Sequence, residues 1–281
     1  MSETQRFESF DFQNSSALSE STVAAGRVVR PLPETLAVRV LIVIERRPFL
    51  SLSGYRGDWL DAKHHFPHEH ARSGWGALRV WNDDEIAPNS GFPPHANANM
   101  EIITYVRDGA LNHRDSLGNE GRIAAGDVQV MSAGTGIQHA EFNLEPNTTR
   151  IFQIWIKPKA DGGVPVWGTK PLPKADRSDR FVTLASGFPT DGDALPIRAE
   201  ARVLGATLNG GQTITYNIAA GRFVYLVPAV GSLSVNGLQV EARDGVAIKR
   251  LRRLAITALR DTEIALVDAP PRRSVPHPSD N

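Results

Sequence analysis

The sequence predicts an all-β protein made of two domains, each a sandwich or small barrel. Three observations carry that expectation. Short apolar segments recur at regular spacing, separated by Gly, Asp and Asn, and no helical period of useful length intrudes. The 281 residues exceed the length of a typical single domain. Between 157 and 179 the composition turns to Pro, Gly and charged residues, which marks a connection running over the surface between two domains.

Taken in order, residues 1–34 are rich in Ser, Thr, Gln and Asn, the composition of a flexible tail. Residues 36–44 are apolar enough for a strand, and 1–43 reads as an extension ahead of the first domain. The segment 48–75 carries a histidine cluster, His64, His65, His68 and His70. The spacing of His68 and His70 suits a strand, but Pro67 argues against a regular central one. The cluster therefore reads as a loop in preference to a second metal site. Strands are expected over 75–86 and 92–106, then over 110–114. Asp115-Ser116-Leu117-Gly118-Asn119 is hairpin-turn chemistry. Further strands follow at 122–123, 128–131 and 152–156, and Gly134 and Gly136 permit a tight course into the segment that carries His139. Small barrels of this kind enclose one ligand cavity.

The second half offers strands at 181–185, 203–208, 213–217, 222–227, 233–235, 247–249, 255–259 and 264–267. It contains no histidine before His277, so it cannot repeat an imidazole site. Lys249, Arg250, Arg252 and Arg253 form a basic cluster that reads as a solvated charged turn, and 270–281 is a Pro- and Arg-rich tail.

Composition excludes several classes of function. Lysine plus arginine equals aspartate plus glutamate at 31 each, so no global field draws the chain to nucleic acid or an anionic membrane. With no cysteine there are no disulfides, thiolate nucleophiles or Cys-ligated clusters. The longest apolar run, 40–44, is far too short for a bilayer. The start of the chain lacks a secretory pattern, and Glu3, Glu8, Asp11 and Glu20 argue against a transit peptide. The expectation is a soluble cytoplasmic protein.

Chemistry concentrates between Gly91 and Asn143. His95-Ala96-Asn97 stands near the start of this stretch and His139-Ala140-Glu141 near its end. Residues two apart on a strand project to one face, so each triplet offers a pair of groups pointing one way. Two histidines and a carboxylate make the set associated with oxygen-handling non-haem iron, and His95, His139 and Glu141 supply it.

The same stretch carries long ordered blocks: G-F-P-P-H from Gly91, M-E-I-I-T-Y-V from Met100, H-R-D-S-L-G-N from His113 and G-D-V-Q-V-M-S-A-G-T-G-I-Q-H-A-E from Gly126. Upstream stand I-E-R-R-P-F from Ile44 and G-A-L-R-V-W-N-D-D-E-I from Gly76. Over about 44–270 the chain resembles the pirin family of the cupin superfamily. The resemblance implies two jelly-roll-type cupin domains packed as a bicupin: 44–157 with the metal site, 158–180 as the connection, 181–270 without metal, and a tail from 271. It implies one Fe(II), or another divalent transition metal, per chain. His95 and His139 would be neutral nitrogen ligands, and Glu141 an oxygen ligand able to accept a substrate proton.

One departure matters. Pirins usually carry a second histidine where this chain has Asn97, whose amide oxygen is a poor donor for such a metal. Two outcomes stay open: a weakened site that keeps iron, with water or Asn97 in the fourth position, or a site left empty. The surviving set favours the first. Glu101 lies an even number of residues from His95 and shares its face if the strand runs unbroken, and the resemblance implies a hydrogen-bonding group behind the ligands. Phe92 and Met100, with Ile102 and Tyr105, line a hydrophobic pocket or belong to the core. His113 belongs to the resemblance but not to its iron set, and reads as a hairpin residue.

By resemblance the leading function is that of a quercetin 2,3-dioxygenase. Such an enzyme opens the central ring of a flavonol-like substrate with O2 and releases carbon monoxide. The alternative is a catalytically impaired pirin that binds a protein partner as a regulatory or transcriptional co-regulator module. A third reading is an oxygenase whose natural substrate is not a flavonol.

Overall fold

A computed structural model describes residues 4–5, 43–66, 74–171 and 177–272. Most of the extension 1–43, His68 and His70 of the histidine cluster, residues 172–176 of the connection and the tail from 273 lie outside the described residues. Among the described residues there is no α-helix, and Phe49–Ser51 forms a short 3-10 turn. None is therefore long and apolar enough to cross a membrane.

The first half runs through β1 (Thr4–Gln5), β2 (Val43–Arg47), β3 (Ser53–Arg56), β4 (Leu60–His64), β5 (Leu78–Ile86), β6 (Ser90–Asn97), β7 (Glu101–Asp108), β8 (Ala110–Asp115), β9 (Glu120–Ala124), β10 (Val128–Ser132), β11 (Ile137–Asn143) and β12 (Thr149–Ile156). The second continues with β13 (Val166–Lys170), β14 (Val182–Ser186), β15 (Leu195–Pro196), β16 (Arg202–Leu208), β17 (Thr213–Asn217), β18 (Phe223–Val230), β19 (Ser232–Val235), β20 (Leu238–Glu241), β21 (Gly245–Lys249), β22 (Arg253–Ala258) and β23 (Thr262–Ala269). Each half pairs a large sheet with a four-stranded one. The first has order β13-β10-β7-β12-β5-β4-β3 opposite β6-β11-β8-β9, and the second β1-β2-β21-β18-β23-β16-β14-β15 opposite β17-β22-β19-β20. The expected all-β bicupin is what the chain forms.

Alternation along the strands builds three layers of core. Odd-numbered residues of β7 such as Ile103 and Tyr105, with Trp81 and Phe152, meet Tyr225, Val227 and Val267 of the second half in one core between the large sheets. The second barrel is filled by one continuous apolar cluster that includes Leu204, Leu226, Leu233, Val246, Leu254 and Leu266. The first barrel is different. Its interior is split into an Ile86, Val106, Leu111, Ile123, Ile151 cluster and an Ile102, Met131, Ala133, Ile137 cluster, with polar side chains between.

Three expectations need correction. The boundary at residue 44 is crossed by β2, which pairs with β21 and joins the second barrel. The connection 158–180 is more than a surface link, because β13 within it pairs with β10 of the first barrel. Each of these strands covers an edge that would otherwise present unpaired backbone groups. The strand expected over 92–106 is broken: β6 and β7 lie in different sheets, and Asn99 between them takes a left-handed φ of 53°.

The histidine cluster divides. His65 is buried between the halves with Nδ1 3.0 Å from the Tyr225 hydroxyl, and burial, reinforced by Arg47, lowers its pKa to about 3. The basic cluster forms the turn between β21 and β22, where Lys249 lies over the Trp75 ring at 5.2 Å while Arg250, Arg252 and Arg253 are exposed.

The halves are also joined through a buried charge. Asp83, fully buried on β5, accepts hydrogen bonds from Arg107 of its own barrel and from Arg243 of the other, at 2.6 and 2.9 Å for the latter. Removing the carboxylate takes the buried counter-charge from both guanidinium groups at the seam, although Arg243 keeps its pair with Glu85 at 2.8 Å. Asp83→Ala is expected to lower stability by about 3–5 kcal/mol, read from the urea midpoint, against a small loss for the exposed pair partner Glu120→Ala.

Candidate metal centre

The small sheet of the first barrel carries the candidate donors on its inner face. In register, His95 of β6 and Asp115 of β8 flank His139 of β11, and Phe92 and His113 flank Glu141. A bulge between His139 and Glu141 shifts the β6 partner by one residue. The large sheet answers with two rows. Trp167, Met131, Ile102 and Trp155 are aligned across β13, β10, β7 and β12. Beside them run Gln129, Thr104, Gln153 and Asn82.

His113, His139 and Glu141 are all buried, and each offers a ligand atom within 4.8 Å of the others. The tautomer of His113 is set by Asp115, whose carboxylate can only accept, so Nε2 carries the proton across their 3.1 Å contact. Its Nδ1 is then the lone-pair nitrogen, and it is buried without a partner. A carboxylate behind an imidazole is the arrangement that orients metal-ligating histidines. Asp115 is itself fixed by the turn read from the sequence, accepting from the backbone N–H groups of Leu117 and Asn119 at 2.9 and 3.1 Å. Burial works to raise its pKa, but bonds from Asn119 and His113 hold it below the usual range.

Glu141 is fully buried, and desolvation pushes its pKa up to about 7 even though Gln129, Thr104 and Gln153 all favour the ionised form. His139 is lowered to about 3 by burial and by its imidazole neighbours His95 and His113, and burial likewise lowers His113. Both rings are therefore neutral at pH 7, the state in which imidazole binds a metal.

The other expected residues sort differently. His95 is exposed at the rim, its ring centroid 4.3 Å from that of His139, and its Nδ1–H donates to the Pro93 carbonyl at 2.9 Å, leaving Nε2 free. Asn97 Nδ2 lies 3.1 Å from His139 Nε2, in position to donate to it. Phe92 is half-buried, edge-on to Trp59 at 5.4 Å, and Met100 packs against Ile102 and Met131. Glu101 does not share the face of His95. The break at Asn99 gives it the parity of Ile103, and its carboxylate accepts from the Ser132 hydroxyl and, at 3.1 Å, from the Arg198 N–H across the seam.

Sequence reasoning missed Gln129, Gln153, Thr104, Trp155, Trp167 and Asp84. The signal for the glutamines was present, since each stands between apolar neighbours in a strand whose residues are mostly buried. A polar side chain in such a run needs a buried partner.

Residues 49–156 match the family described as Pirin, and residues 183–269 the one described as Quercetinase C-terminal cupin domain. A pirin-like protein of Caulobacter vibrioides is 63% identical over 81% of the chain and 100% of its own length. A quercetin 2,3-dioxygenase of Escherichia coli is 35% identical over 76% of the chain and 93% of its own. Among solved structures, a bacterial pirin of Escherichia coli in complex with nickel(II) superposes with a TM-score of 0.75 at 33% identity, covering 82% of this chain and all of that one.

A second acid lies one row beyond Gln153 on the large sheet. Asp84, opposite Ile151, is buried with Oδ1 unpartnered, and desolvation, then Asp83 and Glu141, raise its pKa to about 8. A folded-state pKa above the unfolded one adds stability that is complete below the ordinary carboxylate range and is lost as pH rises through 8. Asp84→Asn is expected to flatten that decline between pH 4 and 8 and to raise stability at pH 8.5 by a few kcal/mol, measured by urea titration of the metal-free protein.

Proposed function

This chain belongs to the pirin family, and from that premise we propose that it is a metal-dependent dioxygenase of the quercetin 2,3-dioxygenase type. The observation that carries the reading is the convergence of two buried neutral imidazoles on a buried carboxylate inside the first barrel. The donor set fits a divalent transition metal, because the lone pair of His113 Nδ1 is buried without a partner and that of His139 Nε2 is met by a neutral amide, not by a competing cation. His139 and Glu141 would hold the ion together with His95, as the family resemblance implies, and His113 adds an imidazole already oriented by Asp115.

When bound, Fe(II) or another divalent transition metal supplies Lewis acidity and redox chemistry toward O2. The chain's own groups do the rest. Glu141, with a pKa near neutrality, accepts the proton of a flavonol 3-hydroxyl within hydrogen-bond reach. His139 and His113 stay unprotonated throughout the neutral range. Trp167 and Trp155, part-buried at the two ends of the row whose centre is the buried pair Met131 and Ile102, offer a flat aromatic ring apolar contact.

A specific contact favours a second reading. Asn97 directs its amide at His139 Nε2, where it competes with an ion for that lone pair. A chain so weakened in metal binding would act through protein contacts. Protein reconstituted anaerobically with Fe(II) and then given quercetin and O2 is expected to consume O2 and release carbon monoxide. Full metal occupancy without turnover would rule out the flavonol reaction and favour the binding module. Asn97→His is expected to tighten Ni(II) binding by about tenfold or more in competition with a chelator, and an unchanged affinity would remove residue 97 from the metal's neighbourhood.

A further inference from the structure

The carboxylate of Glu141 is held from both sides in the same way. Gln153 Nε2 donates to Oε2 at 2.9 Å, and the Trp155 indole N–H donates to Gln153 Oε1 at 3.1 Å. Gln129 Nε2 donates to Oε1, and the Trp167 indole N–H donates to Gln129 Oε1 at 2.9 Å. Thr104 completes the second arm, accepting from Gln129 Nε2 at 3.2 Å.

A glutamine amide has an oxygen end and a nitrogen end of nearly equal size, so packing alone does not decide which end meets the carboxylate. An indole N–H decides it. It is a donor and nothing else, so only the oxygen end of the amide can face it, and the NH2 end is turned to Glu141. The flipped amide would set two acceptors against each other at a buried carboxylate, and would orphan the indole N–H as well. Trp155 and Gln153 manage this from one strand, two residues apart on a common face. Trp167 reaches Gln129 from the neighbouring strand β13, and its ring is stacked on His113 at 4.9 Å and 11°. Gly121, the cross-strand partner of His113, leaves the room for it, since a Cβ there would stand 2.5 Å from the indole.

We infer that Trp155 and Trp167 are positioning residues which, through Gln153 and Gln129, fix the carboxylate of Glu141 in one orientation for a bound metal. The inference rests on the proposed role of Glu141 as a ligand. Oε1 accepts from both Gln129 and Thr104 whereas Oε2 accepts from Gln153, so a lone pair stays open on Oε2 while rotation of the carboxylate is blocked, and the direction offered to an ion is set before it arrives. Groups behind a metal ligand typically govern affinity by 10–100-fold.

The test uses the full chain. Trp167→Phe and Trp155→Phe keep an aromatic ring and remove only the N–H. Each is expected to weaken Ni(II) binding by about tenfold in chelator competition and to shift the ligand-field bands of the Co(II)-loaded protein, with little change in the urea midpoint. In a Gln129→Ala background Trp167→Phe should cost nothing further, because the arm is already cut. In metal-free protein, Gln129→Ala should accelerate hydrogen exchange of the Trp167 indole N–H alone, and Gln153→Ala that of Trp155 alone. Wild-type affinity and spectrum in both Phe variants, or additive losses in the double variant, would overturn the inference. A wild-type protein that takes up no Ni(II) would instead sink the functional reading, and the exchange pattern would still decide whether the two arms exist.

Discussion

A carboxylate buried in the middle of an apolar barrel is the constraint around which the first domain is arranged. Ionised and alone, Glu141 would carry a desolvation cost that no amount of surrounding hydrocarbon offsets. The barrel answers with amide and hydroxyl donors from three strands of the opposite sheet. Those donors reduce the cost without cancelling it, which is why the group settles near pH 7 in place of the ordinary carboxylate range. A group poised there can change protonation, or exchange its proton for a cation, at little expense.

Seen from that constraint, the two halves differ for a simple reason. The second barrel closes over a continuous aliphatic core. In the first, one row of the large sheet is given to Gln129, Thr104, Gln153 and Asn82, and the apolar core is divided to make space for it. The same fold thus serves once as scaffold and once as container. The scaffold half still touches the container, because Asp83 is held by Arg243 from across the seam and Glu101 by the Arg198 backbone.

The imidazoles show how closely a family pattern and an individual chain can diverge. His95 and Asn97 share a strand and a face, yet one is an exposed ring at the rim and the other is committed to a neighbour's lone pair. His113 stands on the first arm of the β8–β9 hairpin. The hairpin is also what places Asp115 behind the ring and frees its other nitrogen toward Glu141 and His139.

By itself the sequence determined the fold class, the two-domain plan and the family, because these follow from alternation, turn chemistry and long ordered blocks, all of which are local. It also singled out His139 and Glu141, whose two-residue spacing is enough to give them one face. Tertiary structure alone decided that Glu101 turns to the seam, since a single left-handed residue at Asn99 reset its parity. Only folding, too, could bring Trp167 from the supposed linker onto His113 and Gln129. Which residue stands opposite which depends on register between strands far apart in the chain, and register is set when the barrel closes, not by any stretch of sequence read on its own.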